Sequence, residues 1–180
     1  MKALCLVAHP DDCVIFGYSF IHRYQRLDWT IGYLTYTEDS PRGSEVAAFW
    51  RRRGIKTVFL GFEDDYADQQ QQQFTRWSST EAQRRMYDLA QGFDLVLTHD
   101  ALGDYGHIHH RLVHDAVANH SNLATFAPHG QGTNRFVIPP GVYDSSELPM
   151  HKDIVAGFHS LGHINEYTIP TSVKEFLKDH

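Results

Sequence analysis

The sequence predicts an α/β protein: a mostly parallel sheet with helices on both faces. Two observations carry this. Strand-like runs and helix-like segments follow one another in the order β-α-β-α-β-α-β-α up to about residue 119. The first run, Ala3 to Ala8 (ALCLVA), is apolar throughout, as befits a central strand buried on both sides.

Each element has its own reason. Val14 to Leu27 carries Phe16, Phe20, Tyr24 and Leu27 three and four residues apart, a helical spacing. Trp29 to Thr37 (WTIGYLTYT) is β-branched and aromatic, and predicts a second strand. Ser40-Pro41 suits a helix start, with Ser capping and Pro in the first turn; the helix runs to Arg53 and Gly54 ends it. Within it Arg51-Arg52-Arg53 favours the helix C-terminus and reads as a solvated face. Thr57 to Leu60 (TVFL) is the third strand, and the polar run Gln69 to Gln73 reads as a loop. Ser78-Ser79-Thr80-Glu81 matches a capping box for a helix reaching Gln91. Asp94 to Thr98 (DLVLT) is the fourth strand, and His107 to Asn119 the next helix. Beyond it, Leu123 to Phe126 and Arg135 to Ile138 read as short strands. Pro139-Pro140-Gly141 is a turn before Val142-Tyr143, and Lys152 to Ser160 and Val173 to Lys178 are helices. With no repeat and no linker, residues 1–180 are expected to form one domain.

Composition narrows the class. Hydrophobic residues make up 42% and charged ones 21%, so an ordinary packed core is expected rather than disorder. The net charge of -6 disfavours a nucleic-acid coat. Cys5 and Cys13 are too few for a disulfide scaffold or an all-cysteine zinc site. No secretory leader or membrane span is predicted, and a cytoplasmic location is the expectation. The unusual figure is 13 His against 16 Lys plus Arg; histidine is the commonest metal ligand.

Two polar clusters follow apolar strands, where an open parallel sheet gathers its ligands. The first is His9-Pro10-Asp11-Asp12. His9 and Asp12 offer a nitrogen and an oxygen acceptable to zinc, and Asp11 a second carboxylate that can take a proton from water beside the ion. The competing reading is that Asp11 or Asp12 caps the next helix. The second cluster runs from Thr98-His99-Asp100 through Gly103-Asp104-Tyr105-Gly106-His107-Ile108-His109-His110. His107, His110 and His114 share a helical stripe, and His109 faces elsewhere. His110 with His114 has zincin spacing, but Arg111 stands where that pattern needs Glu. A nucleotide-binding module would need G-x-G-x-x-G after strand one, where His9-Pro10-Asp11-Asp12 stands.

Ala8 to Asp12 (AHPDD) after an N-terminal strand resembles the signature of the LmbE/PIG-L family of metal-dependent de-N-acetylases. The family's Gly-His-x-x-His stretch appears as Gly106-His107-Ile108-His109-His110, after Thr98-His99. Arg42, Glu45, Gly54, Val58 to Phe62 and Asp64 also resemble the family, with a weaker echo in Lys152 and His159-Ser160; the resemblance covers residues 1–165. Cys13 and His109 depart from it, since the family commonly has Glu at the first position and Asp or another polar residue at the second. The resemblance implies a Rossmann-like three-layer fold. It implies a zinc ion, with iron(II) an alternative, on His9, Asp12 and His110, and water in the open position. It implies hydrolysis of an acetamide on a small N-acetylated sugar or glycoconjugate. Asp11 would be the base, and a protonated His107 would stabilise the oxyanion and act as acid. Arg42, Asp104 and Tyr105 are candidate substrate contacts, with Asp104 and Tyr105 alternatively supporting the ligand histidines. His99 and His159 are candidate orienters of those histidines. Another amide or ester, or metal binding without catalysis, are the remaining alternatives.

Overall fold

Seven strands make one sheet in the order β3-β2-β1-β4-β5-β7-β6. The strands are β1 (Lys2–Val7), β2 (Asp28–Thr35), β3 (Lys56–Phe62), β4 (Leu95–Thr98), β5 (Leu123–Phe126), β6 (Asn134–Val137) and β7 (Ile164–Thr168). This computed structural model describes residues 1–128, 130–137, 145–159 and 164–180, without the side chains at 145, 154, 157–159 and 164. β1 to β5 run parallel, and β7 pairs antiparallel with both β5 and β6. The predicted α/β class and mostly parallel sheet are therefore present.

Helices cover both faces. Ala3, Cys5, Val7, Trp29, Ile31, Tyr33, Leu95 and Leu97 point to one side. They pack there against α1 (Tyr18–Arg23), α2 (Pro41–Arg51), α6 (Lys152–His159) and α7 (Thr171–Leu177). Leu4, Leu6, Ala8, Leu34 and Val96 point to the other, against α4 (Ser79–Ala90) and α5 (Ile108–Val117). The all-apolar β1 follows directly: both faces are buried, so alternation is absent.

Chain direction places the site. β2 and β3 lie to one side of β1, β4 and β5 to the other, so the strand order reverses between β1 and β4. At such a reversal the two connections leave in opposite directions and open a crevice beyond the strand ends. His9–Asp12 follows β1 and His99–His110 follows β4, so both clusters empty into that crevice.

Several expectations need correction. The first helix opens on a π-helical turn, Cys13–Gly17, that runs directly into α1 and ends at Arg23 rather than Leu27; Val14 and Ile15 both donate to the Asp11 carbonyl at 3.0 and 2.9 Å. β2 ends at Thr35, because Tyr36 takes φ +64. Gln69–Gln73 is mostly not loop: α3 (Tyr66–Gln71) is capped by Asp65 and closed by Gln72 at φ +54. Glutamine is a fair helix former, and the Asp65 cap supplies the start. β7 was not expected, although Ile164, Tyr167 and Thr168 are strand formers. Arg51–Arg53 are exposed to varying degrees but paired: Arg51 with Glu38, Arg52 and Arg53 with Glu147, which ties the 3₁₀ turn Ser145–Glu147 to α2. Ile138, the Pro139-Pro140-Gly141 turn, Val142-Tyr143, Ser160 and the His159 side chain lie outside the described residues.

Candidate metal centre

The π-helical turn holds Asp11 and Asp12 at the mouth of the crevice. Neither caps a helix through its side chain. Asp12 Oδ2 instead accepts from the His9 amide at 2.8 Å, and Asp11 Oδ1 accepts from Arg42 Nη2 at 3.0 Å. From the β4 side, the Gly103–Gly106 turn delivers His107 as the N-cap of α5, with His110 in its first turn.

His9 Nδ1, Asp12 Oδ2 and His110 Nε2 form a near-equilateral triangle. The edges are 3.2 Å (His9–Asp12), 3.2 Å (His9–His110) and 3.3 Å (His110–Asp12). Tetrahedral bonds of about 2.0–2.2 Å to nitrogen and oxygen separate neighbouring donors by about 3.3–3.6 Å, so the triangle suits one small cation with little movement. The three groups are buried. Two further overlapping groups of donors exist among the described residues, His9-His107-His109 and His99-Asp104-His110. In the second, His99 Nδ1 and Asp104 Oδ2 stand only 2.5 Å apart, closer than neighbouring donors of one tetrahedral ion; in the first, His107 Nδ1 accepts from the His109 amide at 3.1 Å. His114 belongs to none of these groups and faces Asp115 at 3.4 Å, so the zincin-like pair is not assembled.

Carboxylates stand behind the rings. Asp104 Oδ2 contacts His110 Nδ1 at 2.8 Å as well as His99 Nδ1, and His99 Nε2 accepts the Ala8 amide at 3.1 Å. Asp104 thus faces histidines, the second of the two roles considered for it, rather than the open crevice. His9 Nε2 lies 3.4 Å from Asp64 Oδ1. This is the usual arrangement for metal-binding imidazoles, each with its other nitrogen held by an acceptor.

The charges agree with a cation site. Burial works against ionisation, yet His110 and His9 hold the Asp12 carboxyl well below the usual range. Burial also disfavours charge on His9, but Asp12 and Asp64 outweigh it and raise the imidazole to about 9. Protons therefore occupy positions where a cation would neutralise the same carboxylates. Asp11 differs: burial and the Asp12 charge push it up, against the pull of Arg42. His107 is lowered to about 3, first by burial and then by His9, His110 and His109. This shift favours the neutral ring over the protonated one that the resemblance implies. With Nδ1 accepting, the hydrogen is on Nε2.

Arg42 is half-buried at the rim. It donates to Asp11, to Tyr36 Oη at 3.0 Å and to His151 Nε2 at 3.0 Å. His151 Nδ1 meets Glu45 Oε2 at 2.5 Å, and Tyr36 donates to Asp64 at 3.0 Å. Tyr105 is exposed on the lip, its ring 5.2 Å from that of His110. Tyr36 and His151 were missed from the sequence, and Glu45 and Asp64 were noticed without a role. Glu45, three residues after Arg42 on α2, was the one readable signal.

Comparison with known proteins now decides the family. Residues 4–121 match PIG-L, described as GlcNAc-PI de-N-acetylase. The chain belongs to the PIG-L family. This family is metal-dependent, and the histidine–aspartate cluster can hold the ion. Among curated proteins none matches the chain. Solved structures share the fold. An N,N'-diacetylchitobiose deacetylase from Pyrococcus horikoshii is 20% identical with TM-score 0.53, covering 99% of this chain and 76% of its own. A deacetylase of teicoplanin biosynthesis is 14% identical with TM-score 0.59, covering 94% and 98%. GalB from Pseudomonas putida KT2440, a 4-carboxy-2-hydroxymuconate hydratase, is 14% identical with TM-score 0.58, covering 93% and 95%. One fold thus carries more than one reaction, and this chain's function has to be argued from its site. Among the described residues no helix is long and apolar enough to cross a membrane.

Proposed function

We propose that the protein is a zinc-dependent de-N-acetylase of a small N-acetylated sugar or sugar conjugate, acting as one domain over residues 1–180. The observation that carries this is the donor triangle of His9, Asp12 and His110 with the Asp11 carboxylate beside it. Its deacetylase neighbours act on diacetylchitobiose and in teicoplanin biosynthesis, which supports a sugar-bearing substrate.

His9, Asp12 and His110 would hold the ion. When bound there, it supplies Lewis acidity and lowers the pKa of water in its open position. Iron(II) suits the same donors. Asp11 accepts a proton from the attacking water. Its raised pKa suits a base that must later return the proton to the departing amine. Arg42 fixes the Asp11 carboxylate through Nη2, so one oxygen is held while the other serves the proton transfer. Neutral His107 donates its Nε2 hydrogen to the developing oxyanion. Arg42 and Tyr105, at the rim, meet substrate hydroxyls. Two cysteines in 180 residues suit a reducing compartment, and we place the protein in the cytoplasm.

The test is acetate release from a panel of N-acetylated sugars, with metal-free protein and with added zinc. Zinc-dependent release on one or more sugars is expected. Release only from unrelated amides or esters would move the protein to another hydrolase class, and absence of zinc binding would remove the site.

A further inference from the structure

Asp68 is the most deeply buried carboxylate among the described residues, with 0% exposure, and the mechanism above does not use it. It lies on α3, inside the glutamine-rich segment, some distance along the chain from either site motif. A buried carboxylate is costly unless hydrogen-bonded. Here Oδ1 accepts from the Thr75 amide at 2.9 Å and the Thr75 hydroxyl at 3.0 Å. Oδ2 is 3.1 Å from His109 Nε2.

That last contact has consequences further in. A carboxylate oxygen only accepts, so His109 Nε2 carries the hydrogen. With its hydrogen on Nε2, the imidazole of His109 presents a lone pair at Nδ1. Nδ1 lies 3.1 Å from His9 Nε2. His9 therefore donates from Nε2, with Asp64 Oδ1 as a second acceptor at 3.4 Å. This leaves His9 Nδ1 for the triangle with Asp12 and His110. The plane of His109 is fixed too. Phe74 stacks on it at 5.8 Å between centroids and 14° between planes, and Trp77 lies 5.6 Å away.

We propose that Asp68 and His109 are positioning residues that set the tautomer and orientation of His9, so that its Nδ1 is presented to the metal. The segment from α3 to Trp77 is then the support of the metal centre. The proposal rests on the reading that His9, Asp12 and His110 hold the ion, and the test separates the two.

Zinc affinity is measured by competition with a chromophoric chelator, on wild type, Asp68→Asn, His109→Leu, His109→Gln and the Asp68→Asn/His109→Leu double variant. Loss of an outer partner of a ligand histidine lowers affinity about 10–100-fold. That fall is expected for Asp68→Asn and His109→Leu, with one zinc per chain retained. His109→Gln, which can still accept from His9 and donate to Asp68, is expected to stay within about 5-fold. The two single losses act in series, so the double variant is expected to match His109→Leu. A merely structural role would lower the melting temperature without this pattern in affinity. Unchanged affinity in folded His109→Leu, or additive losses, overturns the proposal while leaving the metal site intact. Two zinc ions per wild-type chain, one lost in His109→Leu, overturns it by making His109 a ligand. No zinc on wild type overturns the metal reading as well. Should the variants not fold, imidazole nitrogen NMR of zinc-loaded wild type decides: His9 is expected to carry its proton on Nε2, and a proton on Nδ1 overturns the proposal.

Discussion

Asp104→Asn tests the carboxylate layer behind the metal site with the least confusion from folding. Asp104 sits at φ +61, a conformation that Asn tolerates well, so the turn survives the change. One oxygen, Oδ2, serves both His99 at 2.5 Å and His110 at 2.8 Å. Both contacts are to a charged acceptor; burial opposes that charge, but His99 and His110 hold Asp104 well below its usual pKa. Hydrogen bonds to charged groups contribute about 1.5–3 kcal/mol each, neutral ones about 0.5–1.5. Replacing the carboxylate by an amide therefore weakens two bonds by about 1 kcal/mol apiece. The share reaching the metal is what His110 loses in orientation and basicity, about 1.4–2.7 kcal/mol when expressed as the 10–100-fold drop typical of such changes. The assay is chelator competition for zinc, alongside a thermal melt to show that the variant is folded. A folded Asp104→Asn protein that binds zinc within about 3-fold of wild type would refute the claim that this carboxylate tunes His110.

Asp11→Asn is expected to keep its zinc and lose at least about 100-fold in kcat, as a missing general base should; zinc lost from this variant, read by metal analysis, would make Asp11 a ligand instead. Gly103 takes φ +74, and a Cβ there would lie 2.6 Å from the His107 carbonyl oxygen and 2.8 Å from Arg111 Cγ. Gly103→Ala is expected to cost about 2–4 kcal/mol, seen in a melt as a fall of roughly 5–15 °C, and an unchanged melting temperature would contradict the close turn. The His9 pKa, about 9 in the fold against 6.5 for a free imidazole, gives a pH dependence. This group's contribution to the stability of metal-free protein is full below pH 6.5 and is lost as pH rises to 9, by about 1.4 kcal/mol per pH unit. Zinc displaces the same proton, so its affinity is expected to rise about tenfold per unit over that window, and a flat titration between pH 7 and 9 would refute it.

Much of the fold could be read from local pattern because its strands are short and its caps explicit. Ser40-Pro41, Ser78 and Gly54 mark boundaries that the backbone confirms: Ser40 accepts from the Gly43 amide, Ser78 from the Glu81 amide, and Gly54 takes φ +73. Where pattern failed, a longer-range or conformational cause is visible. Tyr36 belongs to a run of strand formers, yet its positive φ ends β2 and leaves its hydroxyl with Arg42 and Asp64. The π-helical turn at Cys13–Gly17 is a single turn, too short to leave a period of its own in the sequence.

The candidate donors were readable because they fall in two short motifs, His9 with Asp12 after β1 and His110 after β4. Their partners were not, and for a physical reason. Asp64 and Asp68 reach His9 and His109 from the β3–α4 connection, and Glu45 reaches His151 across more than a hundred residues. None of these pairings has a spacing to read. They depend on the order β3-β2-β1-β4, which sets the β3 connection beside the first turn of α5, and parallel pairing leaves no trace of that order in sequence. His109 shows the consequence. On helical period alone it faces away from the His107-His110 stripe, yet Asp68 and the rings of Phe74 and Trp77 turn a residue outside the ligand stripe into the contact that holds His9. The residues that make a good donor set are chosen locally, but those that fix its protonation and aim are chosen by topology.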